Sequence, residues 1–467
     1  MHARLSTTPL VLCATILETL VASAALATPG ALVQLDGPDG CISKDGAGGA
    51  CAVGRGLGGA LDLALSPDGK SLYVASFSDD AIAVFARNKS ASGGPIGRLT
   101  QLAGQDGCVS ETGSNGACTK GKALDQPFAV AVSRDRTSVY VAGSGANAIA
   151  ALWRDPETGR LTQLPEEAGC VSEDGSGGAC VDGKGLGRPV GLTVTPNGKH
   201  VYVTANDTAS LATFARDTDR GPLRGALAPA SCLSSVDGAT ECTESPLLGG
   251  ALGMVTSPDG RHVYVASQGG HAVLAFKRNA RTGALTPLEG TAACISADGT
   301  DGACVKGRGL VGARAIAISR NGKNVYVASE FGNSVAVFAR NRKTGELTQL
   351  EGTDGCVGET SLGGACADGK ALLGPRGIAV SRDGRNVYVG AAGSHAVAVF
   401  ARDRRTGALT QLPGTEGCVS EDGTGGECAD GTALRSAGAV AVSDDGKSVY
   451  VASLQSGAVA VFARQKR

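Results

Sequence analysis

The sequence predicts an all-β fold, a seven-bladed β-propeller with four strands per blade. Three observations predict it: a 62-residue unit that occurs seven times, four β-rich segments in each unit, and chain ends that complement one another. First cysteines recur at 41, 108, 170, 232, 294, 356 and 418; the opening interval is five residues longer, and the excess falls between Asn88 and Gly97. A representative unit, GPRGIAVSRDGRNVYVGAAGSHAVAVFARDRRTGALTQLPGTEGC, carries GIAVS, NVYVG, AVAVF and ALTQL in that order. Between the first two segments stand Asp68-Gly69, Asn197-Gly198, Asp259-Gly260, Asn321-Gly322, Asp383-Gly384 and Asp445-Gly446, which is hairpin chemistry; the second unit has Asp135-Arg136. ALVQL at 31–35 has the pattern of a fourth strand, whereas the last unit stops after its third, VAVFAR. The N-terminal strand is therefore expected to join the last blade and close the ring, which would remove the exposed edge of an open array.

Two columns of bulky residues support the same reading. All seven tyrosines (Tyr73, Tyr140, Tyr202, Tyr264, Tyr326, Tyr388 and Tyr450) occupy one position of the second strand, which marks packing rather than a catalytic tyrosine. Phe85, Leu152, Phe214, Phe276, Phe338, Phe400 and Phe462 share one position of the third strand, where apolar bulk would fill the gap between twisted neighbouring blades. Trp153 falls one residue off that column.

Residues 1–27 read as a secretory signal, with His2 and Arg4 ahead of an apolar stretch from Pro9 that ends in Ala25-Leu26-Ala27; residues 28–467 read as one propeller domain. No later segment reaches the continuous apolar length of a membrane span, so none is expected in the mature chain. Setting aside Cys13, the cysteines form seven pairs, each ten residues apart: Cys41 with Cys51, Cys108 with Cys118, Cys170 with Cys180, Cys232 with Cys242, Cys294 with Cys304, Cys356 with Cys366 and Cys418 with Cys428. In a secreted or periplasmic chain such pairs are disulfides, each worth about 3 kcal/mol for so short a loop. A zinc site would need further ligands, and neither histidine nor a second cysteine pair lies beside any loop. Acidic loops such as Ser172-Glu173-Asp174-Gly175 match no calcium-loop spacing and are read as turns. Charge is balanced, 43 Lys+Arg against 44 Asp+Glu, with no basic block, which argues against a nucleic-acid partner. No cofactor motif is present, and no serine sits in a nucleophile elbow.

The pattern SPDGKSLYVAS, followed by a third strand and a Thr-Gly turn, resembles the lactonase-like, YVTN-type seven-bladed propellers over nearly the whole chain after residue 27. Members that act on lactones or form them carry a GPRH-type segment entering the first strand and an Asn-Glu pair after the second. The resemblance places Arg314 and Glu330 of the fifth blade on the Arg and Glu of that pattern, with Ala315 at the His position. In the sixth blade Arg376 matches, but Gly377 stands at the His and Ala392 at the Glu.

Read without the family, the same positions stand out. Leu61, Phe128, Val190, Leu252 and Gly438 share the column of Arg314 and Arg376, while Phe77, Ser144, Asn206, Gln268, Ala392 and Leu454 share that of Glu330. Both columns, and the cysteine loops that join fourth strands to first strands, belong on one face around the channel mouth. Two readings follow. One is an exported scaffold whose disulfide-stapled face binds an unknown ligand or protein. The other is a lactone hydrolase or cycloisomerase, with Arg314 and Arg376 holding a carboxylate and Glu330 as general base; the alternative for this trio is a plain ion pair between blades. His200 and His262 share a hairpin position, and His271 and His395 share a tip position with Asn147 and Asn333, where turn formation is the expected role.

Overall fold

The computed structural model describes residues 28–219, 221–236 and 241–466; the expected signal lies outside the described residues. The first strands of blades 1 to 7 are Ala60–Leu65, Pro127–Val132, Pro189–Val194, Ala251–Thr256, Ala313–Ile318, Pro375–Val380 and Ala437–Val442. Each packs beside the first strands of the two neighbouring blades around a central channel. In every blade the first three strands form an antiparallel sheet, and the second strand, such as Ser71–Ser76, is buried along its whole length because a sheet covers it on both faces. Leu32–Gln34 pairs with the last strand, Ala458–Arg464, with Leu32 opposite Arg464, and Cys41–Ser43 pairs with that same strand, so the two ends of the described chain share the sheet of blade 7.

The outer part of each blade is wider than the four expected strands. In blade 1 the fourth strand is broken in two: Leu99–Gln101 pairs with Phe85–Arg87, and Cys108–Ser110 pairs with Ala81–Ala83. A short 3₁₀ turn, Gly104–Gly107, separates them, and the Gln101 side chain stitches it by donating to the Gly107 carbonyl. The disulfide between Cys108 and Cys118, with Cα atoms 4.8 Å apart, then folds the chain back so that Thr119–Lys120 runs parallel to Val109–Ser110. Six blades are six-stranded in this way, while in blade 3 the outer strand Leu227–Ser234 is continuous and the sheet has five strands.

The other six expected disulfides form as well, with Cα separations of 4.8–5.0 Å: Cys41 bonds to Cys51, Cys170 to Cys180, Cys232 to Cys242, Cys294 to Cys304, Cys356 to Cys366 and Cys418 to Cys428. The first cysteine of each pair is therefore a strand residue paired to its blade's third strand. The second, at Cys51, Cys118, Cys180, Cys242, Cys304, Cys366 and Cys428, immediately precedes the short parallel strand that the expected loop did not include. Seven such bonds belong to an oxidising environment.

What joins the blades is more specific than apolar filling. The tyrosine column is buried, and each hydroxyl donates to a glycine carbonyl of the following blade, as Tyr73 does to Gly159 at 2.8 Å. Each hydroxyl also accepts a hydrogen bond from a buried arginine at the end of that blade's third strand: Arg154 Nε reaches Tyr73 at 2.6 Å, and Arg87, Arg216, Arg278, Arg340, Arg402 and Arg464 repeat the contact on their own tyrosines. The remaining guanidinium donors meet hairpins on both sides of the junction. Arg154 Nη2 lies 3.3 Å from Asp68 of blade 1, and its Nη1 donates to the Arg136 carbonyl of blade 2. Gly159 is required here: its φ is +82°, and a Cβ would lie 2.2 Å from Ser71 Oγ. The five-residue insertion of blade 1 is absorbed around the short turn Ala91–Gly93 and still delivers the Gly97 carbonyl to Tyr450 at 2.8 Å. Burial pushes the hydroxyl of Tyr140 up to about 12, so it stays protonated and able to donate.

Five of the seven junctions supply a carboxylate to the arginine: Asp445, Asp68, Asp135, Asp259 and Asp383. Burial alone would raise the Asp445 carboxyl, but its bonds from Ser443, the Lys447 amide and Arg87 bring it down to about 2. Where blades 3 and 5 carry Asn197 and Asn321 in the hairpin, the arginine turns to another acceptor: Arg278 Nη2 meets His200 Nδ1 at 2.7 Å, and Arg402 Nη2 meets Asn324 Oδ1 at 2.5 Å. Because arginine can only donate, His200 must accept and therefore be neutral. Burial, reinforced by the Arg278 charge, holds its pKa below the ordinary 6.5, and burial with Arg340 does the same to His262. The unfolded chain takes up protons at these histidines below pH 6.5 while the folded one resists, so their contribution is present above 6.5 and is lost as pH falls. Replacing His200 and His262 together by Asn, the residue that blades 5 and 6 carry at Asn324 and Asn386, is expected to flatten the loss of Tm between pH 6.5 and about 5. An unchanged Tm–pH slope in thermal melts would contradict the neutral-histidine assignment.

Candidate functional site at the channel mouth

First strands converge at the mouth on the disulfide-loop side, and the approach is tight: a Cβ on Gly191 would lie 1.9 Å from the Leu252 carbonyl oxygen. The repeat column that follows Leu61 is accordingly small (Ala129, Gly191, Gly253, Ala315, Gly377, Ala439), with one exception, Asp62. Above it, Leu61, Phe128, Val190, Leu252, Arg314, Arg376 and Gly438 encircle a cavity of about 220 Å³. Its wall is apolar on blades 1 to 4, cationic on blades 5 and 6, and open at the glycine of blade 7.

The three candidates from the sequence come together here. Arg314 Nη1 donates to Glu330 Oε2 at 2.9 Å, and Arg376 Nε, from the next blade, donates to Glu330 Oε1 at 2.7 Å. A fourth group, Gln268 of blade 4, donates to Glu330 Oε2 at 2.7 Å. Glu330 is thus held by donors from blades 4, 5 and 6, and its side chain is 12% exposed, against 17% for Arg314 and 29% for Arg376. Burial pushes the Glu330 carboxyl up, but the Arg314 charge and the Arg376 hydrogen bond and charge outweigh it and leave the group below its ordinary value. Arg314 also reaches across the channel: its guanidinium carbon sits 5.9 Å from the ring centre of Phe128 in blade 2. The cluster holds one ion pair within blade 5 and one between blades 5 and 6, yet it carries one more positive than negative charge at the rim of a cavity.

Asp62 went unnoticed in the sequence, although a charge interrupting a column of Gly and Ala was a legible signal. One of its oxygens accepts the Val130 amide of blade 2 at 2.9 Å, and no arginine or lysine among the described residues pairs with it. Burial raises its pKa to about 6, with the Val130 amide bond only partly offsetting. The cavity lining therefore includes a protonatable carboxyl, on blade 1.

The other singled-out residues have local roles. His271 and His395 sit at left-handed tips, φ 47° and 50°, and their Nδ1 atoms accept the amides of Gly312 and Ser436 in the following blade, both at 2.9 Å. Asn147 and Asn333 do the same for Arg188 and Gly374. In the cysteine loops Asp45, Asp174, Asp298 and Asp422 accept amides within their own turns, and Glu111, Glu173, Glu359 and Glu421 accept the amides of Leu124, Leu186, Leu372 and Leu434. These carboxylates hold the linkers that lead into the next blade.

Residues 303–420, which span most of blades 5 and 6 and include Arg314, Glu330 and Arg376, match the family model described as Lactonase, 7-bladed beta-propeller. Over these residues the chain is similar to that family, and its fold is a seven-bladed β-propeller. Solved propellers similar to it include a protein from Bacteroides uniformis provisionally described as a 6-phosphogluconolactonase (19% identity, 74% of this chain and 82% of that one, TM-score 0.50). Hydrazine synthase from Kuenenia stuttgartiensis (16% identity, 89% and 98%, TM-score 0.50) and the β-propeller domain of Cps50 (Swd1) from Myceliophteria thermophila (10% identity, 87% and 98%, TM-score 0.51) are similar in shape as well. At these identities the likeness is one of fold alone. No curated protein matches the chain in sequence.

Because Glu330 is held ionised below its ordinary value, 4.5, its pairing with the two arginines stabilises the fold above that pH and is lost as pH falls through the lowered value. Glu330→Gln is expected to lower Tm at neutral pH, with the gap to wild type narrowing on acidification below pH 4.5. A gap independent of pH would show that the carboxylate charge is not what orders Arg314 and Arg376.

Proposed function

We propose that this exported propeller binds a small lactone or related ring bearing a carboxylate or phosphate at its channel mouth and opens or closes that ring. The observation that carries the reading is the cavity's division into an arginine wall, Arg314 and Arg376, and an apolar arc, Leu61, Phe128, Val190 and Leu252. Arginine donors left free by Glu330 hold the anionic end, and the arc packs the ring. Glu330 acts as a positioning residue: with both oxygens engaged it fixes the guanidinium planes instead of taking up protons. Asp62 is the proton-transfer group. In hydrolysis a water oxygen adds to the lactone carbonyl as Asp62 takes its proton, and the proton returns to the ring oxygen as the C–O bond breaks. The provisional naming of the Bacteroides uniformis protein fits such a substrate. A purely interaction-based role for the stapled face draws less support, since the loop carboxylates that would recognise a partner are committed to the loops' own amides.

The test is hydrolysis of a panel of carboxylated and phosphorylated lactones by the oxidised protein beside Asp62→Asn and Arg376→Ala. Asp62→Asn is expected to cut kcat by about 10²–10⁴-fold with KM little changed, and Arg376→Ala to act mainly on KM. Turnover by Asp62→Asn at the wild-type rate would overturn the assignment of the proton-transfer group, and absence of turnover and of binding across the panel would overturn the function.

A further inference from the structure

The near-neutral chain hides a strong separation of charge between its two faces. On the face opposite the disulfide loops lie the hairpins between first and second strands, surrounding a second channel mouth of about 800 Å³ whose lining includes Arg134, Arg320 and Arg382. Six of the seven hairpins end on an exposed base: Lys70, Lys199, Arg261, Lys323, Arg385 and Lys447. Blade 2 has Thr137 there but exposes Arg136 beside it. The hairpin aspartates that would neutralise these groups are already engaged, because Asp68, Asp135, Asp259, Asp383 and Asp445 are bound to the arginines buried between blades. Among the described residues, Lys70 pairs with Glu157 and Arg382 with Asp444, whereas Lys199, Arg261, Lys323, Arg385 and Lys447 have no carboxylate partner. The compensating acids sit on the opposite face, in loops carrying Glu111, Glu173, Glu359 and Glu421.

From this geometry we infer that the hairpin face docks the protein on an anionic lipid surface. Hairpins at one repeat position of a closed ring lie near one plane, so their bases meet an extended plane of phosphate headgroups all at once, whereas a linear polyanion would follow only an arc of them. The tips offer Pro67, Pro196 and Pro258 with Lys and Arg but no large apolar side chain, so the contact is electrostatic adsorption without insertion. Docked in this way, the propeller turns the Arg314–Glu330–Arg376 mouth away from the membrane.

The experiment is cosedimentation of the oxidised protein with vesicles of phosphatidylcholine and phosphatidylglycerol, against phosphatidylcholine alone. Binding is expected only to the anionic vesicles, and release near 1 M salt, where screening shortens to about 3 Å. Lys199→Gln/Arg261→Gln/Lys323→Gln/Arg385→Gln, which alters exposed side chains only, is expected to weaken binding by about 100-fold or more, with an unchanged melting temperature. Equal binding to both vesicle types, wild-type affinity in the quadruple variant, or retention on heparin without retention on anionic vesicles would each overturn the inference. None of these outcomes depends on whether the opposite mouth turns over lactones.

Discussion

A guanidinium buried at every blade junction sets the terms for the rest of the molecule. Arg154 is 0% exposed, and a charge so placed costs several kcal/mol unless every donor is met. A blade cannot meet them alone: the tyrosine hydroxyl and the carboxylate, histidine or asparagine all come from the preceding blade, while the blade's own hairpin supplies only a carbonyl. Each blade therefore completes its neighbour, and the same logic requires Arg87 of blade 1 to find Tyr450 and Asp445 of blade 7. First strands approach closely at the mouth, where six of the seven blades carry glycine or alanine in the column of Asp62. The blade junctions turn the hairpin aspartates inward and leave lysines and arginines on the surface.

On so regular a frame, the proposed function rests on the places where the repeat is broken. The column of Leu61 changes from apolar to arginine only in blades 5 and 6, the column of Glu330 is acidic only in blade 5, and the small column admits a carboxyl only at Asp62. These exceptions are scattered over the sequence, yet Arg314, Arg376 and Asp62 line one cavity and Glu330 holds both arginines. Elsewhere departures are compensated in kind. Where the hairpin loses its carboxylate, His200 or Asn324 receives the arginine, and the tip histidines occupy an acceptor role that asparagine fills in other blades.

Much of this was legible in the residues. Periodicity of the cysteines, the tyrosine column and the Asp-Gly hairpins predicted blade number, the order of the inner strands and the disulfides, because each reports a local constraint repeated seven times. The split outer strand was not legible: ALTQL and the cysteine segment read as strand and loop, and only the glycine-rich turn held by Gln101 shows that both pair with the third strand. Nor was the buried arginine legible in VFAR, since an arginine at a strand end reads as solvated until its partners from another blade are known. Arg314, Glu330 and Arg376 could be placed on one face from the topology, but Gln268 and Asp62 required the cavity, as their significance comes from neighbours 62 or more residues away.

The proposed binding of a lactone at the channel mouth is tested most directly by a crystal structure of the oxidised protein with a carboxylated sugar acid, the hydrolysis product of such a lactone. The ligand's carboxylate is expected on Arg314 and Arg376, its carbon chain along Phe128 and Val190, and a hydroxyl facing Asp62. Ordered ligand bound elsewhere, with the mouth occupied only by solvent, would contradict it.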